Sequence, residues 1–166
     1  MKHEATKITY HDDGFSILEL LISMSIIAII AAAAGINLVN YYRATALEAA
    51  VKDVVGELRL AQNKALMSQD GDSNNQGDKW GIRFTNGADD YYETFYGNTY
   101  STASTTQKIY LPPAVVFTLP AASSYTDVIF TNITGTTTAT STVISSADGS
   151  KSQTISIEAS GRVNAN

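Results

Sequence analysis

The chain contains no cysteine, so neither a disulfide nor a thiolate metal site can be built from it. Its two histidines, His3 and His11, both fall within the first fourteen residues. From Gly14 onward the commonest general base and the commonest transition-metal ligand are therefore missing. Serine and threonine are plentiful, but no pattern marks one of them as an activated nucleophile. The carboxylate pair Asp89-Asp90 stands in a turn-like stretch where solvation is the simplest reading. Neither catalysis nor a cofactor or metal is expected. Proline is absent from Phe15 to Gln69, so nothing there forces a helix to stop. Basic charge is also scarce, with 11 Lys and Arg against 16 Asp and Glu, a net of −5. Such a balance gives no general attraction to the phosphates of nucleic acid.

What the chain does have is one concentrated apolar run. Between Ile17 and Ile36 every residue is apolar or small except Glu19, Ser23 and Ser25. About 20 such residues in a helix span roughly 30 Å, the thickness of a bilayer core. A helix in a soluble core would show a polar face, and this one has none. A secretory signal peptide would place its cleavage region among Ala31–Gly35, but the run exceeds a usual signal core. Glu19, two residues inside it, also argues against that reading. An ionised carboxylate at the centre of a membrane helix costs on the order of 2.5–3.5 kcal/mol, and less near an interface. A residue kept at that cost is a candidate functional group in want of a cationic partner.

Gly14-Phe15-Ser16-Ile17-Leu18-Glu19, followed at once by Leu20-Leu21-Ile22, resembles the signal of type IV prepilins and type II secretion pseudopilins. The resemblance implies cleavage after Gly14 by a membrane prepilin peptidase and methylation of the new amino group on Phe15. It also implies a partner for Glu19: the N-terminal amine of a neighbouring subunit in a filament. Opposite charges in low dielectric attract strongly enough to set axial register between helices that would otherwise slide. Lys2 and Lys7 in the leader suit a cytoplasmic N-terminus.

Past the apolar run, Tyr41 and Tyr42 suit a membrane interface. Leu47, Val51, Val54, Leu58, Ala61 and Ala65 then recur at spacings of three and four, opposite Glu48, Lys52, Glu57, Arg59 and Lys64. One long helix over 15–69 is expected, its first half in lipid and its second half packed on a head. Asp70–Asp78 reads as a polar linker. Asp70, Asp72 and Asn74 alternate as at the start of a calcium loop, but the sixth-position Gly and twelfth-position acid of that motif are absent. Short strands follow: Trp80–Phe84 and Tyr91–Tyr96 around Asn86-Gly87, then 108–111, 114–119 and 127–131. Ser141–Ser145 and Gln153–Glu158 flank Asp148-Gly149, and 161–164 closes the series. The organisation expected is a cleavable leader (1–14), the long helix (15–69) and a β-rich head (70–166). The fold class is α+β, a helix packed on a small antiparallel sheet.

The head's motifs add a second resemblance. Trp80-Gly81, the tyrosine-rich second strand, Leu111-Pro112 before Val115-Val116-Phe117, Ile129-Phe130, and Ile155-Ser156-Ile157 leading to Gly161-Arg162-Val163 are similar to the H-type minor pseudopilins and FimT-type minor pilins. The expected function is thus a structural, minor subunit of a secretion pseudopilus or pilus. Its partners would be other pilin or pseudopilin subunits, the prepilin peptidase and an inner-membrane assembly platform. It would sit in a bacterial inner membrane with its N-terminus cytoplasmic, and assemble from there into a filament. The alternative is a FimT-like minor pilin that captures DNA, which would need a basic patch. Residues 70–166 carry five basic residues against nine acidic, a net of −4, which weighs against it.

Overall fold

The computed structural model of the chain describes residues 16–166, with 34–37 described by backbone alone. It divides between Val39 and Asn40 into two units. Helix α1 (Ile17–Leu66) is followed by β1 (Trp80–Asn86), β2 (Tyr91–Tyr96), β3 (Thr105–Tyr110) and β4 (Val115–Leu119). Then come β5 (Ser124–Phe130), β6 (Thr140–Ser146), β7 (Ser152–Ile157) and β8 (Val163–Ala165). The strands form two antiparallel four-stranded sheets rather than one, in the orders β3-β2-β1-β5 and β4-β6-β7-β8.

In the first unit α1 is apolar on every side, and its side chains from Ile17 to Val39 are exposed wherever they are described. It is long and apolar enough to cross a membrane. The second unit carries the core. The periodic residues Leu47, Val51, Val54, Leu58, Ala61 and Ala65 are all buried, as their spacing predicts. They meet Trp80, Ile82, Phe84, Val128 and Phe130 of the first sheet, and Phe117, Ile144, Ile155 and Ile157 of the second. One amphipathic stretch of helix thus covers a face of each sheet, which neither sheet could bury alone.

The helix ends at Leu66, three residues before the stop expected from its pattern. Ser68 adopts a left-handed conformation (φ 51°), its N–H reaches the Ala65 carbonyl, and Gln69 N–H reaches that of Lys64. These bonds satisfy carbonyls that the last turn leaves free, a device the apolar periodicity does not report. Trp80 Nε1–H then donates to the Gln69 carbonyl at 2.9 Å, tying the helix end to β1. At the other end of β1, Asn86 Nδ2 donates to the carbonyls of Phe117 and Pro120, both at 2.8 Å. Asp90 accepts from Phe117 N–H at 2.6 Å. The turn between β1 and β2 therefore joins the two sheets. β3 begins three residues earlier than the sequence suggests, and a register shift between Thr94 and Phe95 accommodates it. A 3₁₀ turn (Thr102–Ser104), capped by the Ser101 hydroxyl, precedes it and was not foreseen.

Candidate functional site

Ser16 sits just before α1, and its hydroxyl accepts the Glu19 N–H at 3.2 Å. Ser16 and Glu19 have the spacing of a capping box, so the serine supplies an acceptor to a backbone donor that the first turn cannot satisfy. Ser23 and Ser25 donate to the carbonyls of Glu19 (2.7 Å) and Leu21 (2.8 Å). These hydroxyls need nothing from outside the helix, which suits them to an apolar setting. The Glu19 carboxylate differs: it is exposed, and among the described residues it has no hydrogen-bond or ion-pair partner. Gly14 and Phe15 lie outside the described residues.

A family model for the prokaryotic N-terminal methylation motif matches residues 11–35, spanning Gly14, Phe15 and Glu19. The leader motif is type IV prepilin-like. It marks the chain as a pilin-like substrate of prepilin peptidase, and the single apolar helix fits an inner-membrane anchor. No curated protein and no solved structure matches the chain.

On the head of the chain, Asp70, Asp72 and Asp78 bring carboxylate oxygens within 4.8 Å of one another. The Asp70 carboxylate accepts four backbone N–H groups, from Asp72 (3.1 Å), Ser73 (2.6 Å), Asn74 (3.3 Å) and Asn75 (2.6 Å). Desolvation is the largest single influence and opposes these bonds, but the four together hold its pKa below the ordinary value. Asp78 in turn accepts from Gly71 N–H at 2.8 Å. The carboxylates organise their own loop, as aspartates in turns do. The segment is a loop without helix or strand, as its composition predicts.

A second constellation lies on the face of the first sheet turned away from α1. The cross-strand register sets Tyr110, Tyr91, Thr85 and Tyr125 in one row over β3, β2, β1 and β5, and Lys108, Glu93, Arg83 and Asp127 in the next. The charged row alternates in sign. Arg83 donates twice to Asp127, both at 2.6 Å, and Lys108 stands 3.9 Å from Glu93. Glu93 is only 6% exposed although it faces outward. Tyr100, from the loop before β3, covers it and donates its hydroxyl to it at 2.8 Å. The Arg83 guanidinium lies between the rings of Tyr100 (3.7 Å) and Tyr125 (3.8 Å), and Lys108 lies over Tyr91 at 3.5 Å. Hydrogen bonding to Asp127 raises the Arg83 pKa further, so its charge is permanent. Gly81 is needed beneath this layer. A Cβ there would come within 2.6 Å of the Val128 carbonyl oxygen and 2.8 Å of the Phe95 ring.

The tyrosines stand out in the sequence, but the rows do not. Each strand carries its signal at period two, as Arg83 and Thr85, Tyr91 and Glu93, Lys108 and Tyr110, and Tyr125 and Asp127. Only strand order and register show that these four pairs align.

Proposed function

We propose that the chain is a structural, minor-type subunit of a type II secretion pseudopilus or type IV pilus, with a head of the H-type (FimT-like) kind. Prepilin peptidase cuts after Gly14, the amino group of Phe15 is methylated, and the apolar helix holds the subunit in the inner membrane until assembly. In the filament, Glu19 pairs with the N-terminal amine of a neighbouring subunit. The observation that carries this reading is a methylation motif at the start of a helix whose apolar stretch, 17–39, holds one carboxylate, Glu19, exposed and without a partner among the described residues. Desolvated between subunits, that carboxylate would be costly alone and favourable when paired. The head supports a structural role over DNA capture. Arg83, Lys108 and Arg162 are already paired with Asp127, Glu93 and Glu158, which leaves little basic surface for a phosphate chain.

The test is Glu19→Gln in cells that make the whole machine. The neutral amide keeps the shape and removes the charge. Membrane insertion should be equal or slightly easier, since the ionised group is the costly one in lipid. The filament-associated fraction should fall at least about tenfold, the effect of about 1.4 kcal/mol of lost pairing. Normal incorporation of the variant would remove Glu19 from the assembly contact.

A further inference from the structure

The outer face of the first sheet is organised beyond what folding the head requires. Its inner face and the helix already make the core, yet the outer face holds four tyrosines and four charged side chains locked to one another. Tyr110 and Tyr125 remain 57% and 58% exposed at the two ends of the tyrosine row. Beside Tyr110 opens a cleft of about 630 Å³, walled by Leu111, Pro112 and Val116 and edged by Asp89. That volume lies within the range of small-ligand sites. Asp90, on the same wall, has its oxygens taken by Gly87 N–H (3.1 Å) and Phe117 N–H (2.6 Å), so it shapes the cleft. Asp89 is exposed and faces solvent. Among the described buried side-chain N and O atoms, the Thr85 hydroxyl lacks a hydrogen-bond partner, and it sits in the tyrosine row between Tyr91 and Tyr125.

We propose that this tyrosine face and the cleft continuous with it bind a neutral glycan chain. The charge balance selects that occupant. Lys108 and Arg83 offset Glu93 and Asp127, so the face itself is neutral, and Asp89 makes the cleft acidic. A polyanion gains nothing here and meets repulsion at the cleft. An apolar helix or strand would cover Lys108 and the hydroxyls of Tyr110 and Tyr125 without replacing their hydration, which is costly. A sugar chain presents both chemistries at once. Its C–H faces carry slight positive charge and suit the negative faces of tyrosine rings. Its hydroxyls donate to the exposed Asp89 carboxylate at the cleft and accept from Lys108 and the tyrosine hydroxyls. Because Arg83 and Lys108 lie over the rings, platform and polar groups are held in place before a ligand arrives, which reduces the ordering cost of binding. An entering hydroxyl that displaced either ring slightly would also satisfy Thr85.

The test uses the full chain in a detergent without a sugar headgroup, with cellohexaose, chitohexaose and maltohexaose as neutral probes and oligothymidylate as the polyanion. Binding is followed by titration calorimetry and by saturation transfer to the sugar protons. At least one hexasaccharide should bind saturably, and Tyr110→Ala or Tyr125→Ala should weaken it about tenfold or more. Tyr110→Phe and Tyr125→Phe should keep most of the affinity, because the ring is what stacks. Tyr41→Ala, an exposed tyrosine away from the face, should change nothing. Trp80 fluorescence verifies that each variant folds. Absence of saturable binding of all three sugars at millimolar concentration would overturn the proposal. So would binding indifferent to both alanine variants, or oligothymidylate binding to the same tyrosines instead.

Discussion

Residues 17–39 and 47–65 belong to one helix, yet their side chains meet opposite surroundings. Ile17 is 83% exposed and Ile29 71%, while Val54 and Leu58 are 0% exposed. The first stretch is richer in apolar residues and carries one charge against six in the second, and the pattern around the helix differs with it. The second stretch keeps its large residues in one stripe, Leu60 excepted, and the chain supplies two sheets to cover it. The first spreads Leu, Ile and Met around the whole circumference, which no single sheet face can cover. Whatever covers it must surround it, and lipid followed by neighbouring helices is the account proposed above.

The sharpest way to break this contrast is to make the same change in both stretches. Leu58→Ala should destabilise the head by about 2–5 kcal/mol, through lost burial and the cavity left behind. Leu21→Ala should leave head unfolding unchanged. Urea unfolding of the full chain in detergent, read by Trp80 fluorescence, checks both. Equal effects would mean that the first stretch is part of the folded core.

A smaller effect belongs to Tyr92, which is buried in the head core with its pKa pushed up to about 12, first by burial and then by Glu57 and Asp53. An unfolded tyrosine ionises near 10, so this contribution is complete below about pH 10 and is lost as pH climbs through 12. Tyr92→Phe should flatten stability across that window, while the wild-type midpoint falls.

The smallest effect concerns the first turn of the head's own helix segment. Arg43 donates to Asp148 at 2.6 Å, and the pair is partly exposed. The Asp148 pKa is held well below the usual carboxylate range, first by the Ser146 hydroxyl, then by Ser150, and only after these by Arg43. Its contribution is present above about pH 4 and fades as pH falls through the folded value. Arg43→Ala should shift acid unfolding only slightly, and Ser146→Ala more. The reverse order would make the ion pair the main contact.

Much of this was legible in the sequence because period and punctuation carry it. The 3–4 spacing from Leu47 to Ala65 named the buried stripe, and Asn86-Gly87 and Asp148-Gly149 marked turns that the structure contains. What was not legible depends on partners distant in sequence. The helix stop is set at Ser68 by backbone bonds to the carbonyls of Ala65 and Lys64, which side-chain periodicity does not report. The division into two sheets depends on Asn86 and Asp90 reaching the segment around Phe117. The outer-face rows need the register of four strands. Glu19 stood out because a charge inside an apolar run is anomalous at any level of description.

The proposed filament role depends on what becomes of Gly14 and Phe15, and one measurement addresses that directly: the intact mass and N-terminal peptide of the mature chain extracted from the membrane of a cell that processes it. The predicted chain begins at Phe15 and carries one added methyl group on its amine. A mature chain beginning near Ala34 would identify an ordinary signal peptide. The apolar stretch would then be gone from the final protein, Glu19 with it, and the filament account would be contradicted.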